Sequence, residues 1–159
     1  MKNVEKNIVQ LLTQRKQTLS IAESCTGGWI GQRMTSVPGA FRVFGLGVIS
    51  YSAEAKKEIL KVSPKLIQKH GVVSEEVAVA MAKGVQKLSR SHYAISVTGI
   101  AGPTGATPTK SVGMVCLSLI SKGGKNIKKR TLHLKGSRRG IRKEASTQIL
   151  NWLYQSLVR

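Results

Sequence analysis

Three short apolar runs in this chain each end in a polar loop rich in serine, threonine or glycine. The runs with their loops are "TLSIAE" with "SCTGG", "FGLGVIS" with "YSAEAKK", and "HYAISV" with "TGIAGPTG". Runs of this length and composition are typical of buried strands. In open α/β sheets, ligands bind beside the carboxyl ends of the strands, where helix N-termini offer free N–H groups. The pattern therefore predicts an α/β fold with a ligand site where the three loops converge.

Helical patterns occupy most of the remaining sequence. Apolar spacing in "VEKNIVQLLTQRKQ" predicts an amphipathic helix over residues 3–16, and "TGGWIGQRMTSV" predicts a second helix with Thr26 as its N-cap. Residues 53–90 predict three further helical pieces, the last capped by Ser74. "SVGMVCLSLI" and "IKKRTLHLK" predict a hairpin joined over "SKGGKN", before a helix from about Arg138 to Leu157. This order predicts a single domain with a mixed β-sheet flanked by helices.

Length and composition fit one globular domain over residues 1–159, with 41% hydrophobic residues. No segment approaches the roughly 18 uninterrupted apolar residues of a membrane helix, and "MKNVEKNIVQ" lacks the apolar region of a signal peptide. We therefore expect a cytoplasmic protein without a membrane partner. The two cysteines, Cys25 and Cys116, are expected to be free thiols in that compartment.

The charge balance is strongly basic. The chain has 26 Lys and Arg against 7 acidic residues, all of them Glu, and a formal net charge of +19. The absence of Asp excludes a Ser-His-Asp triad, an Asp-rich calcium or magnesium loop and a catalytic Asp pair. The positive charge favours an anionic partner, either nucleic acid or a phosphorylated small molecule. Aromatic residues make up only 4% of the chain, which argues against base stacking with single strands.

The loop "AESCTGG" has two interpretations from its residues alone. Ser24 or Cys25 could act as a nucleophile, while Gly27 and Gly28 would let backbone N–H groups approach an oxyanion or a phosphate. Equally, the segment could be a capped helix start with a packed glycine pair. It is neither the G-x-S-x-G turn nor the G-x-x-x-x-G-K-[ST] phosphate loop.

A serine nucleophile needs a base, and no His lies near a nucleophile-like motif. A lysine can serve when burial or neighbouring cations lower its pKa. Lys56 and Lys57 follow the run that carries Tyr51, so one of them is a candidate base. The alternative is that both are solvated lysines on a helix surface.

Two further segments can be interpreted as binding loops or as ordinary surface. The glycine density of "TGIAGPTG" indicates unusual backbone conformations or close ligand approach, and the alternative is a plain loop. "KGSRRGIRK" is typical of an anion-binding helix start, and the alternative is a solvated basic helix face. The residues concerned are Thr98, Gly99, Gly102 and Gly105 in the first segment and Arg138, Arg139 and Arg142 in the second.

Four segments together resemble a known family. "AESCTGGWI", "GVISYSAEAKKEILKV", "HGVVSEEVAVAMA" and "ISVTGIAGPTGATPTKSVGMVC" are similar, in this order, to the CinA C-terminal domain family of nicotinamide mononucleotide amidohydrolases. The resemblance covers nearly the whole chain. It implies a three-layer α/β sandwich and a homo-oligomer. It also implies hydrolysis of the carboxamide of nicotinamide mononucleotide to nicotinate mononucleotide and ammonia, in pyridine nucleotide salvage, without a metal or other cofactor.

The resemblance also implies roles for particular residues. Ser24 matches the nucleophile, Lys56 in "SAEAK" matches its basic partner, and Tyr51 in "SYS" matches a further catalytic position. Arg138 would suit the substrate phosphate. For substrate binding the resemblance implies Thr98 and Arg138. The polar loops themselves add Thr26, Gly27, Gly28, Gly99 and Gly102 as predicted substrate-binding positions.

The chain departs from the family pattern at three places. Thr104 and Ser137 stand where the family's "GPDGG" and "GDR" segments have Asp, and Phe41 brings a bulky ring to a segment that is usually small and hydroxylic. One alternative is therefore an amidohydrolase with a changed substrate. The other is a non-catalytic basic protein of the same fold that binds nucleic acid or a phosphorylated ligand.

Overall fold

The computed structural model describes residues 3–121 and 125–158. Within these ranges the chain forms six α-helices, five strands and a short 3-10 turn at Ala40–Arg42. The helices are α1 (Val4–Gln14), α2 (Trp29–Thr35), α3 (Ala53–Glu58), α4 (Pro64–His70), α5 (Glu75–Ser89) and α6 (Arg138–Leu157). The strands are β1 (Leu19–Glu23), β2 (Phe44–Ile49), β3 (Tyr93–Gly99), β4 (Met114–Ser121) and β5 (Asn126–His133).

The five strands form one mixed sheet in the order β2-β1-β3-β4-β5. Strand β1 pairs in parallel with both β2 and β3, whereas β4 and β5 continue the sheet antiparallel. The predicted mixed α/β sheet is thus confirmed. Because β1, β2 and β3 are parallel, the loops that follow them leave the same edge of the sheet.

Helices cover both faces of the sheet and make three layers. Helices α1, α2 and α6 pack on one face, over a core that includes Ile21, Ile95 and Leu117. Helix α5 crosses the other face and packs on a second core that includes Ala94 and Ile120. Strand β3 lies at the centre and is buried over six of its seven residues, which explains why "HYAISV" is apolar without alternation.

Serine hydroxyls cap the N-termini of α3, α5 and α6. The Ser74 hydroxyl accepts a hydrogen bond from Val77 N–H at the start of α5, and Ser137 does the same for Gly140 at the start of α6. The prediction of Thr26 as the cap of α2 is wrong. The cap position is Gly28, whose φ of 91° is one that Thr adopts only with strain.

The hairpin of β4 and β5 is antiparallel, as predicted, from Met114 opposite His133 to Ser121 opposite Asn126. Residues 122–124 of its predicted connection "SKGGKN" lie outside the described residues. Among the helices of the described ranges, none combines the length and the apolar character needed to cross a bilayer. Cys25 and Cys116 are both free and buried.

Candidate active site

A cavity of about 410 Å³ opens at the edge of the sheet where β1, β2 and β3 end. All three polar loops identified in the sequence contribute to its wall, together with the start of α6 and the segment between α4 and α5. Its lining includes Ser24, Cys25, Tyr51, Lys56, Gly71, Val72, Val73, Thr98, Gly99, Ile100, Ala101, Gly102, Thr104, Gly105, Thr107, Lys110 and Arg138. A volume of this size falls within the range of small-molecule sites.

Ser24 and Lys56 are in direct contact in this wall. The distance from Lys56 Nζ to Ser24 Oγ is 2.9 Å, although the two residues are 32 positions apart in the sequence. Ser24 follows the last residue of β1, and Lys56 lies in α3, whose first turn is fixed by a hydrogen bond from Ala55 N–H to the Ser52 hydroxyl. Pairing of β1 with β2 therefore brings the hydroxyl and the amine together.

Lys56 is the largest fully buried side chain, with 1% of its surface exposed. Its Nζ also donates to the carbonyl oxygens of Ser50 at 2.7 Å and Tyr51 at 3.4 Å. Burial of the ammonium lowers the pKa of Lys56 to about 8, because few groups replace the water that would solvate the charge. A lysine with this pKa is neutral in an appreciable fraction of molecules near neutral pH and can accept a proton.

Cys25 lies beside Ser24 but is a poor candidate nucleophile. Burial raises the pKa of its thiol to about 12, so the reactive thiolate is scarce near neutral pH. Ser24, by contrast, has its hydroxyl 2.9 Å from the buried amine of Lys56. This difference separates the two neighbours, between which the local residue pattern alone did not decide.

Glu23 is a structural residue of this site that sequence reasoning missed. Its carboxylate is buried and accepts hydrogen bonds from the N–H groups of Gly28, Ile30 and Gly31 at 3.0, 3.2 and 2.8 Å. It thereby caps the N-terminus of α2, where a negative charge is favourable, and holds the loop of residues 24–28 from the end of β1. A glutamate that ends a strand directly before a helix start is the signal that could have identified it.

Arg142 holds the same loop from the other side. Its guanidinium donates to the Thr26 carbonyl at 2.8 Å and lies 5.4 Å from the centre of the Trp29 ring. A Cβ on Gly27 would lie 3.0 Å from Arg142 Nη2, so a larger residue would disturb this contact. Glu23 and Arg142 together fix the backbone on both flanks of residues 24–28.

Thr26, Gly27 and Gly28 are not among the residues that line the cavity. The N–H groups of Gly27 and Gly28 are already bonded, to the Ser24 carbonyl and to Glu23. Within the described part of the chain, the N–H groups of Cys25 and Thr26 donate no hydrogen bond, so they are the free donors closest to Ser24 in sequence.

Arg138 and Tyr51 meet at the wall of the cavity. Arg138 Nη2 donates to the Tyr51 hydroxyl at 2.9 Å, and Nη1 donates to the Gly102 carbonyl at 2.8 Å. A second cation, Lys110, bonds through Nζ to the carbonyl oxygens of His70 and Val73. The cavity thus carries two positive charges besides Lys56, which suits an anionic ligand.

The remaining predicted positions form the wall around β3. Thr98 lies at the end of this strand with 1% of its surface exposed, and its hydroxyl donates to the Val72 carbonyl at 2.8 Å. Gly99 and Gly102 line the cavity with it. Their absent side chains leave room for close neighbours, since a Cβ on Gly99 would lie 2.9 Å from the Met114 carbonyl oxygen.

The three departures from the family pattern have different positions. Thr104 lines the cavity. Ser137 instead caps α6 with its hydroxyl, a task that an Asp would also perform. Phe41 is 80% exposed and is not part of the cavity lining. Only Thr104 therefore changes the surface that a ligand would meet.

No cluster of three or more His, Cys, Asp or Glu side chains suited to a metal ion occurs within residues 3–121 and 125–158. The polar groups of the cavity are hydroxyls, lysines, an arginine and backbone amides. This donor set suits an uncharged carbonyl and an anion.

Comparison with known proteins identifies a matching family and several similar sequences. The family described as the CinA C-terminal domain matches residues 1–157. A CinA-like protein of Geotalea uraniireducens is 44% identical over 151 residues, which is 95% of this chain and 36% of that protein. A CinA-like protein of Fervidobacterium nodosum is 41% identical over 152 residues, covering 96% and 37% of the two chains. The chain spans a little over a third of the length of these relatives.

Solved structures show the same fold over nearly the whole chain. The competence/damage inducible protein CihA of Agrobacterium tumefaciens has a TM-score of 0.93 and 32% identity, covering 98% of this chain and 94% of that one. The competence damage-inducible protein A of Klebsiella pneumoniae has a TM-score of 0.94 and 26% identity, with coverages of 98% and 96%.

Proposed function

Because the chain belongs to the CinA C-terminal domain family, we propose that it hydrolyses the carboxamide of nicotinamide mononucleotide to nicotinate mononucleotide and ammonia. Ser24 is the nucleophile and Lys56 is the general base. The observation that carries the proposal is the 2.9 Å contact between Lys56 Nζ and Ser24 Oγ at the wall of a cavity of about 410 Å³.

The neighbours of Lys56 favour a base directed at Ser24. Neutral Nζ has two N–H donors and one lone pair. The carbonyl oxygens of Ser50 and Tyr51 can only accept, so they take the two hydrogens, and the lone pair is left for the hydrogen of the Ser24 hydroxyl. Ser24 Oγ then attacks the amide carbon as its proton moves to Lys56.

The tetrahedral intermediate needs donors for its oxyanion and a proton for its leaving group. The N–H group of Cys25, which follows the nucleophile directly and belongs to a residue of the cavity wall, supplies an oxyanion donor. Protonated Lys56 returns the proton to the departing nitrogen, and ammonia leaves. Tyr51, oriented by Arg138, hydrogen-bonds this nitrogen. Water then attacks the Ser24 ester as Lys56 removes one of its protons. Lys56 gives this proton to the departing Ser24 Oγ, and the acid product leaves as a carboxylate after losing its remaining proton to solvent.

Arg138 is the residue that binds the phosphate of the substrate in this proposal. Its guanidinium is fixed by the Gly102 carbonyl and the Tyr51 hydroxyl, and its charge is free to attract an anion. Lys110 adds positive charge to the same wall. Thr104 in place of Asp removes a negative charge from the cavity, which favours a phosphorylated substrate further.

A non-catalytic binding protein of the same fold is the second candidate. The observation that favours it is the formal net charge of +19, far more than one phosphate requires. Such a protein would bind polyanions with an affinity that falls steeply as salt rises, because phosphate contacts release counterions.

The deciding experiment incubates the purified protein with nicotinamide mononucleotide and quantifies both ammonia and nicotinate mononucleotide. Ser24→Ala and Lys56→Met are expected to remove product formation with unchanged circular dichroism. Cys25→Ala, next to the nucleophile, and Lys57→Met, next to the base, are the matched controls and are expected to retain activity. Full activity in Ser24→Ala would refute the nucleophile, and absence of product from the unaltered protein would refute the substrate.

A further inference from the structure

A second concave surface lies beside α4 and α5, outside the proposed active site. We call it the α4–α5 groove, with a volume of about 950 Å³. It is lined by Ile59, Leu60, Lys61, Ser63, Lys65, Leu66, Lys69, His70, Ala80, Lys83, Gly84, Lys87, Leu88 and Arg90. Along α5 it extends from Ala80 to Leu88, which corresponds to about two helical turns, and Arg90 follows just after the helix.

The floor of the groove is apolar and is built on Gly84. A Cβ at Gly84 would lie 2.2 Å from the Leu60 carbonyl oxygen, so only glycine lets the segment after α3 pack directly on α5. Leu60 itself is buried in the core on this face of the sheet. Ile59 and Leu88, in contrast, are 44% and 54% exposed along the groove. Large apolar side chains are therefore left open to solvent within a concave surface.

The rims of the groove carry unpaired positive charge. Six of its lining residues are cationic: Lys61, Lys65, Lys69, Lys83, Lys87 and Arg90. None of the six forms an ion pair within the described residues, and no acidic residue lines the groove. Among the described ion pairs, the lining residue that contacts a carboxylate is His70, whose Nδ1 lies 3.6 Å from Glu76 Oε2.

Helical spacing arranges these cations in two rows. Lys65 and Lys69 are one turn apart on α4, and Lys83 and Lys87 are one turn apart on α5, with Arg90 directly after the end of that helix. The two rows thus belong to different helices, and the apolar floor lies in the same groove. An occupant that matches this surface needs an apolar face and acidic groups on both flanks.

We propose that the α4–α5 groove binds an acidic amphipathic helix of a partner protein. Such a helix buries apolar side chains on Ile59 and Leu88 and directs carboxylates at both rows of cations. Nucleic acid fits less well, because a phosphate backbone leaves the apolar floor uncovered and no Phe, Tyr or Trp lines the groove for base stacking. This surface acts independently of the reaction proposed at Ser24.

The test measures binding of a fluorescent peptide of about 14 residues that places Leu on one helical face and Glu on the other. A peptide of the same composition in scrambled order and a single-stranded RNA are the comparison probes. Anisotropy titrations use the unaltered protein and three variants. Lys65→Gln/Lys87→Gln removes one cation from each row, Leu88→Ser removes apolar floor, and Lys128→Gln/Lys143→Gln removes the same charge outside the groove.

The amphipathic peptide is expected to bind more tightly than the scrambled one, and to lose about tenfold in affinity in both groove variants. The control pair is expected to change affinity less than about twofold, since its lysines are remote exposed charges. Equal binding of the scrambled peptide, or an equal loss in the control pair, would overturn the proposal. So would an unchanged affinity in Leu88→Ser with an intact thermal midpoint. Tighter RNA binding that is lost in Lys65→Gln/Lys87→Gln would assign the groove to nucleic acid.

Discussion

The cavity beside Ser24 and the α4–α5 groove use lysine in opposite ways. They adjoin at His70 and Gly71, which line the groove and the cavity respectively. In the cavity, Lys56 is 1% exposed and bonded to Ser24 Oγ and two carbonyl oxygens. In the groove, six cations have no ionic partner among the described residues. Desolvation turns a lysine into a base, whereas solvated lysines provide only an attractive field.

The largest expected effect is a loss of catalytic activity that occurs in a cavity variant and not in a groove variant. Lys56→Met should lower kcat/KM for nicotinamide mononucleotide by about 10³-fold or more, because it removes the proposed base from Ser24. Lys65→Gln/Lys87→Gln, which removes two cations from the groove, should leave kcat/KM within about twofold. The rate of ammonia release measures kcat/KM for both variants. A comparable loss in the groove variant would mean that the two regions are not functionally separate.

The same substitution should have the opposite effect on stability. Below pH 8 the folded protein holds a charged Lys56 whose pKa is lowered from 10.5 to about 8, which corresponds to about 3 kcal/mol of destabilisation. Lys56→Met removes this cost but loses the hydrogen bonds of Nζ with the Ser50 carbonyl and with Ser24 Oγ, worth about 1 kcal/mol each. We expect a net gain of about 1 kcal/mol in the free energy of unfolding at pH 7, measured by urea denaturation.

This gain should depend on pH in a defined direction. Between pH 8 and 10.5 the unfolded chain binds more protons at Lys56 than the folded protein does, so the stability of the unaltered protein rises with pH in this window. The advantage of Lys56→Met should therefore shrink from pH 8 to pH 10.5. An advantage that stays constant over this range would indicate that the pKa of Lys56 is not lowered.

Activity should rise with pH as Lys56 loses its proton. With a pKa of about 8, the neutral fraction grows about 50-fold between pH 6 and pH 8 and less than twofold above pH 9. The kcat/KM for nicotinamide mononucleotide should follow this curve. Lys65→Gln/Lys87→Gln serves as the control and should leave the midpoint in place. A flat profile between pH 6 and pH 8 would contradict Lys56 as the base.

Much of the fold follows from local sequence signals, as α6 illustrates. Its predicted range from about Arg138 to Leu157 agrees with the structure because Ser137 is a local cap directly before an apolar pattern. The prediction of Thr26 as the cap of α2 is wrong because the carboxylate that accepts hydrogen bonds from the start of this helix is not adjacent to it in sequence. Glu23 reaches three N–H groups five to eight residues further on, and only the folded loop brings them within 3.2 Å.

The candidate site, too, could be predicted from the sequence only in part. The three polar loops could be identified from the sequence because each ends a strand. The contact of Ser24 with Lys56, however, depends on the pairing of β1 with β2. Arg142 could not be assigned to the loop of residues 24–28 from the sequence, because it reaches Thr26 across 116 positions through the packing of α6 on α2. Interactions between distant segments require the tertiary structure.

An effect smaller than the loss of activity in Lys56→Met is expected from Glu23, the buried acid beside the cavity. Glu23→Gln keeps one acceptor oxygen but turns an amide donor toward a backbone N–H, and it loses the charge at the N-terminus of α2. The free energy of unfolding should fall by about 1–2 kcal/mol. Because the change loosens the loop of Ser24, kcat should fall while KM changes little. The exposed Glu58→Gln is the control and should change neither quantity.

The smallest expected effect tests whether the cations of the groove repel one another. Lys83 and Lys87 are like charges one turn apart on α5, an arrangement that destabilises a helix by about 0.2–0.5 kcal/mol. Lys87→Gln should therefore raise the free energy of unfolding by about 0.3 kcal/mol at low salt, and the gain should vanish at about 0.5 M salt. Lys57→Gln is the matched control. It should lower the free energy of unfolding, because Lys57 is paired with Glu54 on α3. If both substitutions shifted the free energy of unfolding in the same direction, the result would contradict the prediction that Lys83 and Lys87 repel each other.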